Sequence, residues 1–75
     1  MDNKTLYLVN EMANNIKAGK ETIPELYILL RQDKTLMETV VTGFYELRHY
    51  DLLNDLVNER VKELQVEFLE RCFKK

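Results

Sequence analysis

A chain of 75 residues, 45% apolar and 32% charged, has material for one small core and one domain, 1–75. Eleven Lys and Arg against 13 Asp and Glu give a net charge of −2, without the basic footprint expected of a nucleic-acid-binding domain. One cysteine excludes an internal disulfide and a cysteine-built zinc site within one chain.

The opening stretch, MDNKTLYLVNEM, has neither the basic start nor the apolar run of a secretory signal. No stretch approaches the roughly 18–20 apolar residues of a membrane span. The expected setting is cytoplasmic, with no membrane contact.

The first helix is expected from about Lys4 to Ala18, with Asp2, Asn3 or Thr5 as its cap. Leu6, Val9, Ala13 and Ile16 recur at helical spacing, and Leu8 and Met12 flank them. Gly19 is placed to end this helix in the left-handed conformation, and Lys17 and Lys20 suit the negative end of its dipole.

Thr22-Ile23-Pro24-Glu25 opens the second helix. Thr22 and Glu25 have capping-box spacing, and Pro24 falls in the first turn, where its missing N–H costs little. Ile23, Leu26, Tyr27 and Leu30 form its buried stripe. Ile28 and Leu29 widen that stripe, so the helix is expected to be nearly surrounded.

Arg31-Gln32-Asp33-Lys34 is a polar break. Thr35 and Glu38 repeat the capping-box spacing, which predicts a third helix from about Leu36 to Arg48. Its stripe is Leu36, Val40, Phe44 and Leu47, with Met37, Val41 and Tyr45 beside it. Gly43 lies inside this helix at a cost of about 1 kcal/mol relative to alanine, which marks the close approach of another backbone. The competing arrangement fuses the second and third helices across Asp33.

Asp51 is the expected cap of the last helix, which runs from Leu52 to Phe73, roughly 33 Å at 1.5 Å per residue. Leu53, Val57, Val61, Leu64, Phe68 and Cys72 make its 3–4 spaced stripe and its expected core face. The break at His49-Tyr50 has neither glycine nor proline, so one bent rod is the alternative. No run alternates as a half-buried strand would. The fold class is therefore all-α, a small antiparallel bundle of three to four helices with a long C-terminal helix.

Chemistry is sparse. His49, the only histidine, lacks the orienting carboxylate and nucleophile of an acid–base site and reads as a helix-end residue. Cys72 falls on the predicted stripe and reads as a core hydrophobe. Tyr7, Tyr27, Tyr45 and Tyr50 read as core or interface residues, since stacking on bases requires a basic groove. No phosphate loop, nucleophile elbow or zinc-helix motif occurs, and nothing calls for a catalytic residue, a metal or a cofactor.

Two features of the last helix remain. Asp51, Asp55, Glu59, Glu63 and Glu67 recur at every fourth residue as an acidic ridge. Like charges at this spacing cost an isolated helix about 0.2–0.5 kcal/mol each, so helix propensity does not explain the ridge. It is either a solvated face, partly neutralised through Glu59 with Lys62 and Glu67 with Arg71, or a binding edge for a basic partner. Val66, Leu69 and Phe73 lie off the main stripe, on the side that is charged earlier in the helix. Either the first helix folds back over them or a second chain covers them.

Asn15 to Arg31, NIKAGKETIPELYILLR, resembles the opening of region 2 of sigma-factor-like regulators. The likeness covers less than a quarter of the chain, and the aromatic-basic promoter-melting segment that should follow is missing, so membership does not follow. A helix-turn-helix reader would use Leu36 to Arg48, which offers base edges only Glu38, Thr39, Thr42 and Arg48 and gives phosphates almost no cations.

The functional expectation is a non-enzymatic protein-binding module, a small regulator or inhibitor that acts through a helical face and self-associates, with a protein partner or a second copy. The alternatives are a transcription-associated or nucleic-acid-binding regulator of helix-turn-helix type and a purely structural self-assembling helical protein.

Overall fold

The computed structural model describes residues 2–73. Four helices follow one another: α1 (Asn3–Lys17), α2 (Ile23–Leu30), α3 (Lys34–Glu46) and α4 (Tyr50–Phe73). Among the described residues there is no strand, and the chain is an all-α bundle whose last helix is the longest.

Side-chain caps set where the first three helices begin. At α1 the Thr5 N–H donates to the Asp2 carboxylate at 2.7 Å. That backbone hydrogen bond holds the Asp2 carboxyl below the usual carboxylate range. At α2 the Glu25 N–H donates to the Thr22 hydroxyl at 3.4 Å, with Pro24 in the first turn. The α3 cap corrects the sequence reading: it is Asp33, whose carboxylate accepts from the Leu36 N–H at 3.1 Å. Thr35 lies inside the first turn, and its carbonyl accepts from the Thr39 hydroxyl at 2.9 Å. Asp33 is extended, at φ −139 and ψ 101, which keeps α2 and α3 apart.

Two helices end in the same way. After α1, Gly19 stands at φ 78, with Lys20 N–H bonded to Asn15 carbonyl at 2.9 Å and Gly19 N–H to Ile16 carbonyl at 3.1 Å. This is the Schellman pattern, which satisfies the last free carbonyls of a helix. After α3, Arg48 takes the glycine's place at φ 62. His49 N–H bonds Phe44 carbonyl at 2.9 Å, and Arg48 N–H bonds Tyr45 carbonyl at 3.1 Å. The weak break at His49-Tyr50 is thus a true turn, and α3 and α4 are separate. Asp51 does not cap α4. It sits in the first turn, while the carbonyl of His49 accepts from the Leu53 N–H at 3.0 Å.

α3 is the central element, packing on α1 and α4, and α2 lies mainly along α4. The core is Val9 and Ala13 from α1, Ile23, Leu26, Tyr27 and Leu30 from α2, Val40 and Phe44 from α3, and Leu52 and Leu56 from α4. Phe44, Leu30 and Val40 are wholly buried, each stabilising the fold by about 1.5–3 kcal/mol through burial. At Gly43 α3 packs against Val9 of α1. A Cβ there would lie 2.7 Å from Cγ1 of Val9. The approach expected at Gly43 is real, but what crosses it is a side chain rather than a backbone.

α2 is not surrounded. Ile28 and Leu29 are exposed on its outer side. The radius of gyration is 14.0 Å, against about 11 Å for a compact domain of this length. The extents of 50 × 25 × 18 Å give the cause: α4 outruns the three shorter helices.

Candidate functional site

α4 has two faces, and their roles are the reverse of those the periodicity predicted. The side turned to the bundle carries Leu52 and Leu56, both buried, and then Glu59, Glu63 and Glu67, all half-buried. At 100° per residue these five fall within one sector of the helix. The expected core stripe lies on the opposite side. Leu53 alone of it is half-buried. Val57 (51% exposed), Val61 (44%), Leu64 (46%) and Phe68 (65%) face outward, and Cys72 is an exposed free thiol.

The acidic ridge therefore divides. Asp51 and Asp55 are exposed, whereas Glu59, Glu63 and Glu67 border the groove between α4 and α2. Glu63 is held by two arginines: Arg60 one turn back at 2.9 Å and Arg31 across from α2 at 3.5 Å. Lys62 pairs with Glu59 at 3.4 Å. The expected Glu67–Arg71 pair does not form. Arg60 also reaches toward the buried Tyr27 hydroxyl, which closes no hydrogen bond. That hydroxyl first, and then the Glu63 and Glu67 carboxylates, hold the exposed Arg60 guanidinium above its ordinary range. The ridge is accordingly a polar seam between two helices rather than a uniformly solvated face.

Val66, Leu69 and Phe73 are all exposed, Phe73 at 82%. α1 does not fold back over them. It packs on α3 at the other end of the molecule. Leu69 continues the outward surface formed by Val61, Leu64, Gln65 and Phe68, a shallow depression walled by α4 alone. Val66 lies on the α2 side, near Ile28 and Arg31. The three residues share one exposed sector of the tail, with Leu69 bordering the outer depression and Val66 the α2 groove. The outer row Val57, Val61, Leu64 and Phe68 was visible as a 3–4 pattern, but the pattern alone assigned it to the core.

His49 joins elements rather than forming a site. Lys17 Nζ lies 3.1 Å from Nδ1, and Nε2 lies 3.1 Å from Asn10 Oδ1. Lysine offers only donors, so Nδ1 accepts and Nε2–H donates to Asn10. Both ring nitrogens are thereby tied to α1, and the ring edge rests on Phe44 at 6.2 Å between centroids. Of the tyrosines, only Tyr27 is core. Tyr7, Tyr45 and Tyr50 are exposed, with Tyr45 and Tyr50 packed edge to face across the α3–α4 turn.

Among the described residues no three His, Cys, Asp or Glu side chains gather as metal ligands, and no helix is long and apolar enough to cross a membrane. No family model matches this chain, and no curated protein or solved structure is significantly similar to it. Its function must be argued from its own surface.

Proposed function

We propose that the chain is a non-enzymatic protein-binding module, a small regulator or inhibitor that works through the outer face of α4. The observation that carries this is the row Val57, Val61, Leu64 and Phe68, each 44–65% exposed, on the side of α4 turned away from the bundle. Isolated exposed apolar residues are ordinary, but a contiguous row at i, i+4, i+7 and i+11 is the pattern by which a helix seats in an apolar groove or against another helix. The inner side of α4 already satisfies the fold, so the outer row has no structural duty to its own chain. A reducing compartment suits the exposed Cys72 thiol, which favours work inside the cell.

The test is a comparison of wild type with the double variant Val61→Ser and Leu64→Ser as baits in quantitative affinity capture. Both positions are exposed, so the variant should keep the wild-type melting curve and lose the captured partner. An identical bound set for both baits would refute the assignment to this face.

A further inference from the structure

We propose that the outer face of α4 pairs with the same face of a second copy, antiparallel, about a two-fold axis between Lys62 and Glu63. This names the partner of the face assigned above and rests on that assignment.

The row itself is self-complementary. Val57, Val61, Leu64 and Phe68 follow the 4–3–4 spacing of a coiled-coil seam, and all four are exposed. An antiparallel pair centred between Lys62 and Glu63 sets Val57 against Phe68 and Val61 against Leu64, twice each by symmetry. Every layer then matches a smaller side chain with a larger one. A parallel pair would instead place Phe68 on Phe68 and valine on valine.

Charge selects the direction and the register. The residues flanking the seam are Arg60 and Glu67 on one side and Asn58 and Gln65 on the other; Glu67 stands at the border of the α2 groove, and Arg60 pairs within its own chain with Glu63, which keeps Arg31 when Arg60 turns outward. In the proposed register Arg60 of each copy meets Glu67 of the other, and Asn58 meets Gln65. A shift of one heptad in one direction sets Arg60 on Arg60, and a shift in the other sets Glu67 on Glu67. In a parallel pair Arg60 would face Gln65 and Glu67 would face Cys72, with no opposite charges matched. Flanking charges choose among coiled-coil partners and orientations, and here only one arrangement joins four apolar layers to two ion pairs.

Shape agrees. α4 projects beyond its own bundle, and from Phe68 to Phe73 every residue is exposed. An antiparallel partner lays its own bundle end beside that projection. Four partly exposed apolar residues per copy fall short of the roughly 20–30 residues a side of a standard stable interface. The dimer is therefore weak, and its dissociation is expected in the micromolar range or above.

The native single cysteine provides the measurement. Spin labels on Cys72 of the two copies lie near opposite ends of the paired helices, about 29 Å apart along the axis at 1.5 Å per residue. A parallel pair would bring them to about the 8–10 Å between helix axes. Sedimentation equilibrium from tens to several hundred micromolar reads the association itself. Arg60→Glu alone and Glu67→Arg alone should each weaken it by about tenfold or more, since each puts like charges across the seam twice. An equimolar mixture of the two variants should regain wild-type association, because opposite charges again meet. Melting curves confirm that each variant folds, and the wild-type label distance is independent of them. A short label distance, single variants that associate like wild type, or a mixture that stays monomeric would overturn the proposal. So would a wild-type monomer at several hundred micromolar. In that last case, a captured partner still lost from the Val61→Ser, Leu64→Ser bait would leave the binding face standing without the dimer.

Discussion

Replacing Gly43 with alanine opposes two effects of known size, and the structure decides which wins. Gly43 sits inside α3, so the change should gain about 1 kcal/mol in helix propensity. The new Cβ would lie 2.7 Å from Val9 Cγ1 and 3.0 Å from its Cβ and Cγ2. Val9 cannot swing away: it is β-branched, on a helix and 2% exposed. Overpacking of this kind costs about 1–3 kcal/mol and must be relieved by moving α1 off α3. The net expectation is a loss of up to about 2 kcal/mol, a fall in Tm of about 4–8 °C per kcal/mol for a domain of this size. Val9→Ala alone removes two buried methyl groups and should cost about 2–3 kcal/mol with its cavity. In the double variant the approaches to Cγ1 and Cγ2 are gone, and only the 3.0 Å approach to the Cβ of residue 9 remains, which a small shift into the vacated space relieves. It should then be about as stable as Val9→Ala alone, with a coupling of about 1 kcal/mol. Urea titration followed by helical circular dichroism, at concentrations too low for association, measures all four corners of the cycle. A stabilised Gly43→Ala single variant, or additive costs, would refute the reasoning.

Arg48→Gly should stabilise the chain by about 1 kcal/mol, because an L residue pays that much for the left-handed conformation it holds at φ 62; chemical denaturation midpoints check it. Asp33→Ala should cost about 1 kcal/mol by loss of the Leu36 cap, whereas Thr35→Ala should change stability little; equal losses would move the cap back to Thr35. Leu56→Ala should cost about 2–5 kcal/mol and Val61→Ala within about 0.5 kcal/mol, and thermal melts of dilute protein that rank them the other way would reverse the two faces of α4.

How much of this was legible in the sequence depended on whether a local signal existed. Gly19, Thr22 with Pro24, and Asp2 act through their own backbone neighbours, so the ends they mark could be read directly. The α3–α4 turn could not, because Arg48 carries no turn preference. Its left-handed conformation is held by two Schellman hydrogen bonds and by the His49 ring tied to Asn10 and Lys17, some 39 and 32 residues earlier in the chain. At α3 the Thr35–Glu38 spacing pointed two residues too late, and the cap is the Asp33 carboxylate, which the sequence reading passed over as part of a polar break. The stripe of α4 failed for a different reason. Apolar spacing tells which residues share a face, but not which face meets the bundle. Two apolar sets were present, and the shorter one, Leu52 and Leu56, took the core.

That choice follows from how little core the other helices provide. α2 has eight residues and α3 thirteen, and the fully buried apolar contact they give α4 is confined to Leu52 and Leu56 in its first turns. Leu52 and Leu56 supply the apolar contact needed there. Beyond them the seam with α2 is polar, and Arg31 and Arg60 compensate Glu63 at its edge, where solvent still reaches and burial costs stay small. Turning α4 about its axis to bury Val57, Val61 and Leu64 would expose Leu56 and strip Glu63 of Arg31. In the orientation observed, the short helices leave the outer row uncovered. Val57, Val61, Leu64 and Phe68 thus stay outward because the core at Leu52 and Leu56 and the pairing of Glu63 with Arg31 hold α4 by its other side.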